Sequence, residues 1–166
     1  MKVAIEMANP DLLGVGVVGT GRIASTIQDE IVTGPFAYLL PSSHAGAYAA
    51  HPRTKIVAAA DVNADRLSQF AERWSVESTY ADYRDMVREE RLDIVSVCTP
   101  TRSHAEVVEA IADAGVRGVF LEKPVSQTLR EADQMIEALE RAGVLTVVNH
   151  VRTFDPLYRR IRWVIE

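Results

Sequence analysis

A glycine-rich turn, one aspartate and one lysine are the residues of this chain whose types and spacing could do chemistry. The turn, at residues 19–24, lacks side chains where backbone amides could approach and bind a phosphate. Asp61 directly follows an apolar run and could accept hydrogen bonds from ligand hydroxyl groups. Lys123, between Glu122 and Pro124, could exchange a proton with a substrate oxygen. These residues indicate a nucleotide site with a proton-transfer group near it.

The register of the glycine pattern must be decided first, because GVGVVGTGRIAST (14–26) fits the dinucleotide-binding pattern from either Gly14 or Gly19. The first register would take its strand from a segment containing the turn cluster at 9–11. The second register follows LLGVGVV, a short apolar run typical of a buried parallel strand. It precedes RIASTIQDEIV, in which isoleucines four residues apart predict a helix over 22–32. We therefore place the phosphate-binding turn at Gly19-Thr20-Gly21.

Strands and helices alternate along the rest of the chain. Apolar runs predict strands at 12–18, 55–60, 93–99, 118–122 and 145–149, with a short extended piece near Thr79-Tyr80. Helices are predicted after Asn63, within 82–90, from Ser103 to Gly115, from Leu129 to Gly143, and over 155–166. This alternation indicates an α/β protein with a Rossmann fold, that is, a doubly wound parallel sheet of six strands in order 3-2-1-4-5-6 with helices on both faces.

Local sequence patterns add detail to these elements. Ser103-x-x-Glu106 predicts a capping box at the start of one helix, and Asp155 with Pro156 predicts the start of the last. Gly14 and Gly16 lie on one face of the first strand, where they could let a helix pack closely.

Ligands of such sheets bind outside the carboxyl ends of the strands, and polar residues follow the predicted strands at those ends. Besides the glycine turn and Asp61, they are Cys98-Thr99-Pro100-Thr101, Glu122-Lys123-Pro124 and Asn149-His150. Asp61 lies farther from the glycines than the usual ribose-binding acid, and we interpret residues 33–50 as an insertion before or within the first crossover helix. A carboxylate at Asp61 would accept from ribose hydroxyls and repel a 2′-phosphate. This favours NAD over NADP.

Composition excludes several other classes of function. The 166 residues are 48% hydrophobic and 25% charged with a net charge of −5, which argues against general binding to nucleic acids or anionic membranes. Cys98 is the single cysteine, so we expect neither an intrachain disulfide nor a cysteine-based zinc site, and we predict no metal site. The start of the sequence lacks the features of a signal peptide, and no apolar run is long enough to span a membrane. We therefore expect a cytoplasmic protein.

Five segments, in chain order, resemble the glucose–fructose oxidoreductase/inositol dehydrogenase (Gfo/Idh/MocA) family: GVVGTGRIA, VAAADVN, VCTPTRSHAE, FLEKPVS and NHVRTFDPLYRRIR. The resemblance covers nearly the whole chain from Leu13 onward, and the Glu-Lys-Pro step is its most specific part. Ala24 in place of a third glycine is one departure from the family pattern, and the insertion is another.

The resemblance implies an NAD(P)-binding domain of an oxidoreductase that moves hydride between nicotinamide and a secondary alcohol of a sugar, inositol or related polyol. It implies that Lys123 is catalytic and that the Lys123–Pro124 peptide is cis. The residues that we expect to bind the cofactor include the glycine turn and Asp61, to which the resemblance adds the later positions. In full they are Gly19, Thr20, Gly21, Arg22, Ile23, Asp61, Thr99, Pro100, Thr101, His104, Glu122 and Lys123.

Two other functions stay open: a nucleotide-sensing Rossmann module without catalysis, and a methyltransferase. Outside the site, we expect Cys98 to be a small buried residue and give His44 and His51 no role. His150 could face the site or be structural, and Arg152 with Phe154 matches the family's step near the domain crossover.

Residues 1–166 are interpreted as one Rossmann domain, with a core at 11–150 and a crossover helix at 151–166. In the resembling family, this helix leads into a second domain that carries most of the substrate pocket and the oligomer interface. We therefore expect the full-length protein to be a homo-oligomer, and this chain to bind cofactor without turning over substrate.

Overall fold

One parallel sheet forms the centre of the fold. The computed structural model describes residues 12–33, 35, 37 and 40–166; the predicted turn cluster at 9–11 and the N-terminal segment lie outside them. Within those residues the sheet has the strand order β3-β2-β1-β4-β5-β6, as predicted. The strands are β1 (Leu13–Val18), β2 (Thr54–Ala60), β3 (Ser78–Tyr80), β4 (Ile94–Val97), β5 (Gly118–Leu121) and β6 (Leu145–Val148).

Helices cover both faces of the sheet. The α-helices are α1 (His44–Ala50), α2 (Ala64–Trp74), α3 (Tyr83–Glu89), α4 (His104–Asp113), α5 (Leu129–Ala142) and α6 (Pro156–Ile165). Apolar residues of α1 and α2 share one core cluster with the sheet, and those of α3, α4 and α5 share the other. The strand order reverses between β1 and β4, so the carboxyl ends of these two strands flank the crevice where such sheets bind ligands. Among the helices described here, none is both long and apolar enough to cross a membrane.

Gly16 allows α3 and the loop after it to pack closely on β1. A Cβ built on Gly16 would lie 2.8 Å from Leu92 Cδ1 and 3.1 Å from Met86 Cε. Both neighbours are buried, so a side chain here would displace core atoms. The predicted close approach on this face of the strand is thus confirmed.

The first crossover helix lies later in the chain than predicted. Residues 22–32 do not form an α-helix; turns lead into a short 3-10 helix at Thr26–Glu30, and the α-helix is α1 at His44–Ala50. The Ala45 amide donates to Ala24 O (2.9 Å) and the His44 amide to Ile23 O (3.3 Å). Both pairings have α-helical spacing if residues 26–42 are skipped. The insertion therefore begins after Ser25 and ends before Ser43, so that the turns at 22–25 and α1 together take the position of one helix.

Helix starts agree with the sequence in two cases and differ in one. Asn63 and Asp155 accept hydrogen bonds from backbone amides at the starts of α2 and α6, as predicted. The predicted capping box at Ser103 is wrong, because a 3-10 turn at Thr101–Ser103 precedes α4 and the Ser103 hydroxyl donates to Pro100 O (2.9 Å). A capping box forms instead at Thr128 and Glu131, where α5 begins.

Candidate functional site

The glycine turn follows β1 at the crevice between β1 and β4. Gly19 has φ +86°, and a Cβ there would lie 2.8 Å from the carbonyl carbon of Cys98 and 2.9 Å from the Thr99 nitrogen. Only glycine fits that backbone and that contact. A Cβ on Gly21 would meet no atom within 4 Å. Gly19 thus closes the turn against β4, and Gly21 leaves its backbone open to a ligand.

Amides of this turn are available for an anion. The Thr20 amide donates to Asp61. In the part of the chain that the structure describes, the amides of Gly21, Arg22 and Ile23 donate to no protein acceptor. Successive free amides at a glycine turn are the usual partners of a phosphate. The helix predicted to supply these amides is replaced by turns, so the backbone of residues 21–23 takes that place.

Asp61 lies directly after β2, as the apolar run before it predicted, and the structure shows it hydrogen-bonded to the glycine turn. Its Oδ2 accepts from the Thr20 amide (2.8 Å) and hydroxyl (3.0 Å), and its Oδ1 accepts from the Asn63 amide (2.8 Å). The carboxylate is 7% exposed, and Arg66 approaches it at 3.6 Å. Both lone pairs of Oδ2 are taken by the two bonds from Thr20, and Oδ1 keeps a further lone-pair direction for a ligand hydroxyl.

A cavity of about 540 Å³ opens beside the glycine turn, between it and α2. Thr20, Gly21 and Arg22 line one side, and Arg66 lies opposite. The insertion shapes this end of the crevice, because Asp29 binds Arg73 on α2 through two hydrogen bonds (2.6 and 2.7 Å) and Glu30 binds Arg22. The guanidinium of Arg22 is therefore paired and exposed.

The segment after β4 connects the crevice to the next loop. The Thr99 hydroxyl oxygen is buried and has no hydrogen-bond partner among the described residues. His104, 1% exposed, lies between two backbone carbonyls, 2.9 Å from Thr99 O and 3.1 Å from Val125 O. His104 thus ties the loops after β4 and β5 together and does not reach the crevice surface. Pro100 is exposed, and Thr101 begins the 3-10 turn before α4.

Glu122 is buried at the end of β5 and is hydrogen-bonded on both carboxylate oxygens. Its Oε1 accepts from Asn149 Nδ2 (2.5 Å) and contacts His44 Nε2 (2.9 Å), and its Oε2 accepts from the Lys123 amide (3.2 Å). Burial opposes ionisation of Glu122, but the hydrogen bonds from His44 and Asn149 outweigh it and lower the pKa of this carboxyl. Glu122 is therefore a charged group held by side chains from two other elements.

Lys123 is exposed, and its amine has no hydrogen-bond or ion-pair partner among residues 12–33, 35, 37 and 40–166. The Lys123–Pro124 peptide is cis, as the family resemblance implied. The lysine thus stands free at the carboxyl edge, beside the buried carboxylate of Glu122.

His44 is the residue that sequence reasoning missed. We gave it no role because it lies in the insertion, yet its side chain is 3% exposed, bonds Glu122 and stacks on Phe120 (ring centroids 4.7 Å apart). A usable signal was its position: His44 directly follows Ser43, a helix N-cap type of residue, and precedes the small residues of HAGAYAA.

The other candidates make no hydrogen bond to Asp61, Glu122 or Lys123 within the described part of the chain. His51 and His150 are exposed, and His51 Nδ1 accepts from the Arg53 amide (3.2 Å). Burial of the thiol, and then the nearby Glu122 carboxylate, raises the pKa of Cys98, so the thiol stays protonated; the residue as a whole is half-buried, not fully buried as predicted. Arg152 stacks over the ring of Tyr158 at 4.8 Å, in the segment before and within α6.

Comparison with known proteins gives this geometry its context. Residues 13–150 match the family described as "Oxidoreductase family, NAD-binding Rossmann fold" (GFO_IDH_MocA). The chain belongs to this family. Among the similar proteins of the Gfo/Idh/MocA family is a myo-inositol 2-dehydrogenase from Thermotoga maritima, 31% identical over 152 residues, which are 92% of this chain and 40% of that protein.

Solved structures share the fold. A probable dehydrogenase from Thermotoga maritima is 31% identical with a TM-score of 0.76, covering 92% of this chain and 40% of that one. A scyllo-inositol dehydrogenase from Lactobacillus casei, solved with bound NAD(H) and scyllo-inositol, is 22% identical with a TM-score of 0.75, covering 93% and 41%. The chain thus spans about two fifths of the length of its Gfo/Idh/MocA relatives and is an NAD-binding Rossmann domain of that oxidoreductase family.

Proposed function

We propose that this domain binds NAD for an oxidoreductase that transfers hydride between nicotinamide and a secondary alcohol of a polyol such as inositol. The main observation behind this proposal is that four groups lie along the edge formed by the carboxyl ends of the strands. They are the open glycine turn, Asp61, Thr99 and the Glu122-Lys123 step. Family membership supports the cofactor class, and the inositol dehydrogenases among the relatives support the substrate class.

The residues present fit such a cofactor from end to end. Open space at Gly21 and the amides of residues 21–23 suit the pyrophosphate, and Asp61 suits the adenosine ribose. The buried, unpartnered hydroxyl of Thr99 lies on the β4 side, where the nicotinamide half would lie. Bound nicotinamide would supply a hydride acceptor; the chain's own residues orient it.

Lys123 is proposed as the group that exchanges a proton with the alcohol oxygen. Oxidation removes a hydride from the carbinol carbon and the proton from its hydroxyl; a neutral Lys123 amine at the edge of the sheet would accept that proton and become an ammonium, which would return it in the reverse reaction. Glu122 holds the backbone amide of Lys123 and keeps a negative charge beside the lysine. The methyltransferase alternative finds no support in the family match.

The site favours NAD over NADP. The Asp61 carboxylate lies where the ribose hydroxyls would bind, and it would repel a 2′-phosphate despite Arg66 at 3.6 Å. NADH should therefore bind this chain more tightly than NADPH.

Fluorescence titration of both reduced cofactors tests this proposal. Asp61→Asn keeps an oxygen for the Thr20 amide but removes the charge. The difference in binding free energy between NADH and NADPH should therefore narrow by about 1–3 kcal/mol. Asp65→Asn, an exposed acid on the first turn of α2, is the matched control and should leave the preference unchanged. Tighter binding of NADPH by the native chain would refute the assignment of Asp61, and binding of neither cofactor would refute the proposed function.

A further inference from the structure

A buried polar cluster lies beneath the Glu122 loop and makes none of the cofactor contacts proposed above. His44 comes from α1, Ser96 from β4, and Asn149 from the end of β6, and all of them meet at or near Glu122. Tyr48 of α1 closes the cluster through Ser96. The exposed fractions of Ser96, His44 and Glu122 are 0%, 3% and 5%.

The bonds that link Tyr48 to Glu122 fit one set of donors, in which Asn149 Nδ2, 3.3 Å from His44 Nε2, donates to Glu122 and not to the imidazole. Burial raises the pKa of Tyr48 to about 12, so its hydroxyl stays protonated, and in this set of donors it donates to Ser96 Oγ (2.8 Å). The Ser96 hydroxyl then donates to His44 Nδ1 (3.1 Å), and His44 Nε2–H donates to Glu122 Oε1 (2.9 Å). A neutral imidazole satisfies both contacts, and the bonds are directed from Tyr48 toward Glu122.

A serine, a histidine and a carboxylate in one line also suggest nucleophilic catalysis. Here the serine is fully buried in the middle of a strand and its hydroxyl is bonded on both sides. No substrate could reach it. The cluster therefore acts on Glu122, the member nearest the sheet edge.

We propose that His44, Ser96 and Asn149 are positioning residues that hold the Glu122 carboxylate, and through it the Lys123 backbone, for the nicotinamide end of the cofactor. The inference rests on the proposed function. Glu122 Oε1 takes the bonds from His44 and Asn149, which leaves Oε2 for the Lys123 amide (3.2 Å). Without those bonds the buried carboxylate would be free to rotate or take up a proton.

Two substitutions of His44 separate positioning from mere stability. The amide of His44→Gln can place a donor near the Nε2 position and keep the bond to Glu122, whereas that of His44→Asn reaches only the Nδ1 side toward Ser96. Both are buried amides of similar polarity, so a purely structural role predicts the same behaviour for both. The same two changes at the exposed His51 are the matched controls.

The experiment is calorimetric titration of the 166-residue chain with NAD⁺ and with ADP-ribose, which lacks nicotinamide. We expect His44→Asn to weaken the binding of NAD⁺ about tenfold more than the binding of ADP-ribose. This is the scale of one lost hydrogen bond to a charged group. His44→Gln and both His51 variants should keep the native ratio. The ¹H–¹⁵N resonance of the Lys123 amide should move in His44→Asn and stay near its native position in His44→Gln.

Other outcomes overturn the proposal. If the ratio of the affinities for NAD⁺ and ADP-ribose is the same in the two His44 variants, the role of His44 is structural only. If His44→Asn fails to fold, Asn149→Leu, which removes the other bond to Oε1 at a half-buried site, must show the same selective loss for NAD⁺. A native ratio in that variant would refute the inference. A native chain that binds neither ligand refutes the proposed function, and the inference with it.

Discussion

At the scale of single residues, the two glycines of the turn have different roles. Gly19 is required by the backbone, since its φ is +86° and any Cβ would collide with the backbone of Cys98 and Thr99. Gly21 is required by no protein contact, because a Cβ there would meet nothing within 4 Å. One glycine therefore serves the fold, and we propose that the other serves the ligand.

Alanine substitutions should separate these roles. Gly21→Ala should fold with a melting temperature close to the native value yet bind NADH at least about tenfold more weakly, because its methyl group occupies the space left for the pyrophosphate. Gly19→Ala should cost at least about 1–2 kcal/mol from its left-handed backbone, with the collision in addition. Thermal melts and NADH titrations of both variants measure this. Equal loss of stability in the two would contradict it.

Asp93 lies at the amino end of β4, on the side of the sheet away from the glycine turn. It should contribute stability that depends on pH. The Gly14 amide (2.9 Å) lowers the pKa of this carboxyl, burial opposes the effect, and Arg117 adds to it. A lowered pKa stabilises the fold above the unfolded pKa of about 3.8, and this contribution disappears as the pH falls through the folded value.

Asp93→Ala should therefore cost about 1–2 kcal/mol at neutral pH, and the difference from the native chain should shrink in acid. Urea unfolding at a series of pH values measures it. Asp113→Ala, at the exposed end of α4, is the control and should show no comparable difference. A penalty for Asp93→Ala that is constant with pH would argue against the charged hydrogen bond.

At the scale of elements, the interrupted first helix is where the structure departs most from the pattern of the sequence. Ala24 and Ala45, both fully buried, hold the two parts of the helix together across the insertion. Gln28 lies against Gly46, where a Cβ would be 2.2 Å from its Oε1, so a glycine in α1 makes room for the insertion.

Deleting residues 26–42 and joining Ser25 to Ser43 should restore one continuous helix. The hydrogen bonds at Ala45 and His44 already have helical spacing across that join, and a shorter connection lowers the entropy cost of closure. We expect the variant to fold and to bind NADH within a few-fold of the native chain, measured by circular dichroism and titration. The control is deletion of residues 26–40, which leaves two extra residues between Ser25 and Ser43 and so breaks the helical spacing of the bonds at His44 and Ala45. We expect this control to be less stable. Loss of folding in the first deletion would show that the insertion is part of the core.

At the scale of the whole molecule, α6 leaves an apolar face uncovered. Its residues Leu157, Ile161, Val164 and Ile165 are between 46% and 78% exposed, although the helix has a complete N-cap, and Trp163, which lies off this face, is 76% exposed. The chain spans about two fifths of its relatives' length, and we propose that a further domain carries most of the substrate pocket.

The 166-residue chain should therefore bind NAD⁺ without steady turnover. Orienting a substrate against the cofactor can lower a barrier by about 7–11 kcal/mol, and this chain would lack most of that. Absorbance assays with myo-inositol and scyllo-inositol at saturating NAD⁺ should show no NADH formation above a Lys123→Ala control. Turnover that depends on Lys123 would show that the chain is a complete enzyme.

The sequence by itself determined the strand order, the register of the glycine turn and the placement of Asp61 after β2. These follow from short-range patterns, namely apolar runs, glycines and helix caps, together with the handedness of the crossovers. The same patterns were wrong at residues 22–32, where Ile23, Ile27 and Ile31 have helical spacing but the chain leaves the helix at Ser25.

Only the tertiary structure decided which polar residues meet. The bond between His44 and Glu122 joins residues 78 apart in sequence, and no local pattern encodes that distance. His104 is conspicuous in sequence but lies between two backbone carbonyls, whereas His44 bonds the residue next to Lys123. Both outcomes depend on which loops the parallel sheet brings together at its carboxyl edge, and burial then requires each polar atom there to find a partner.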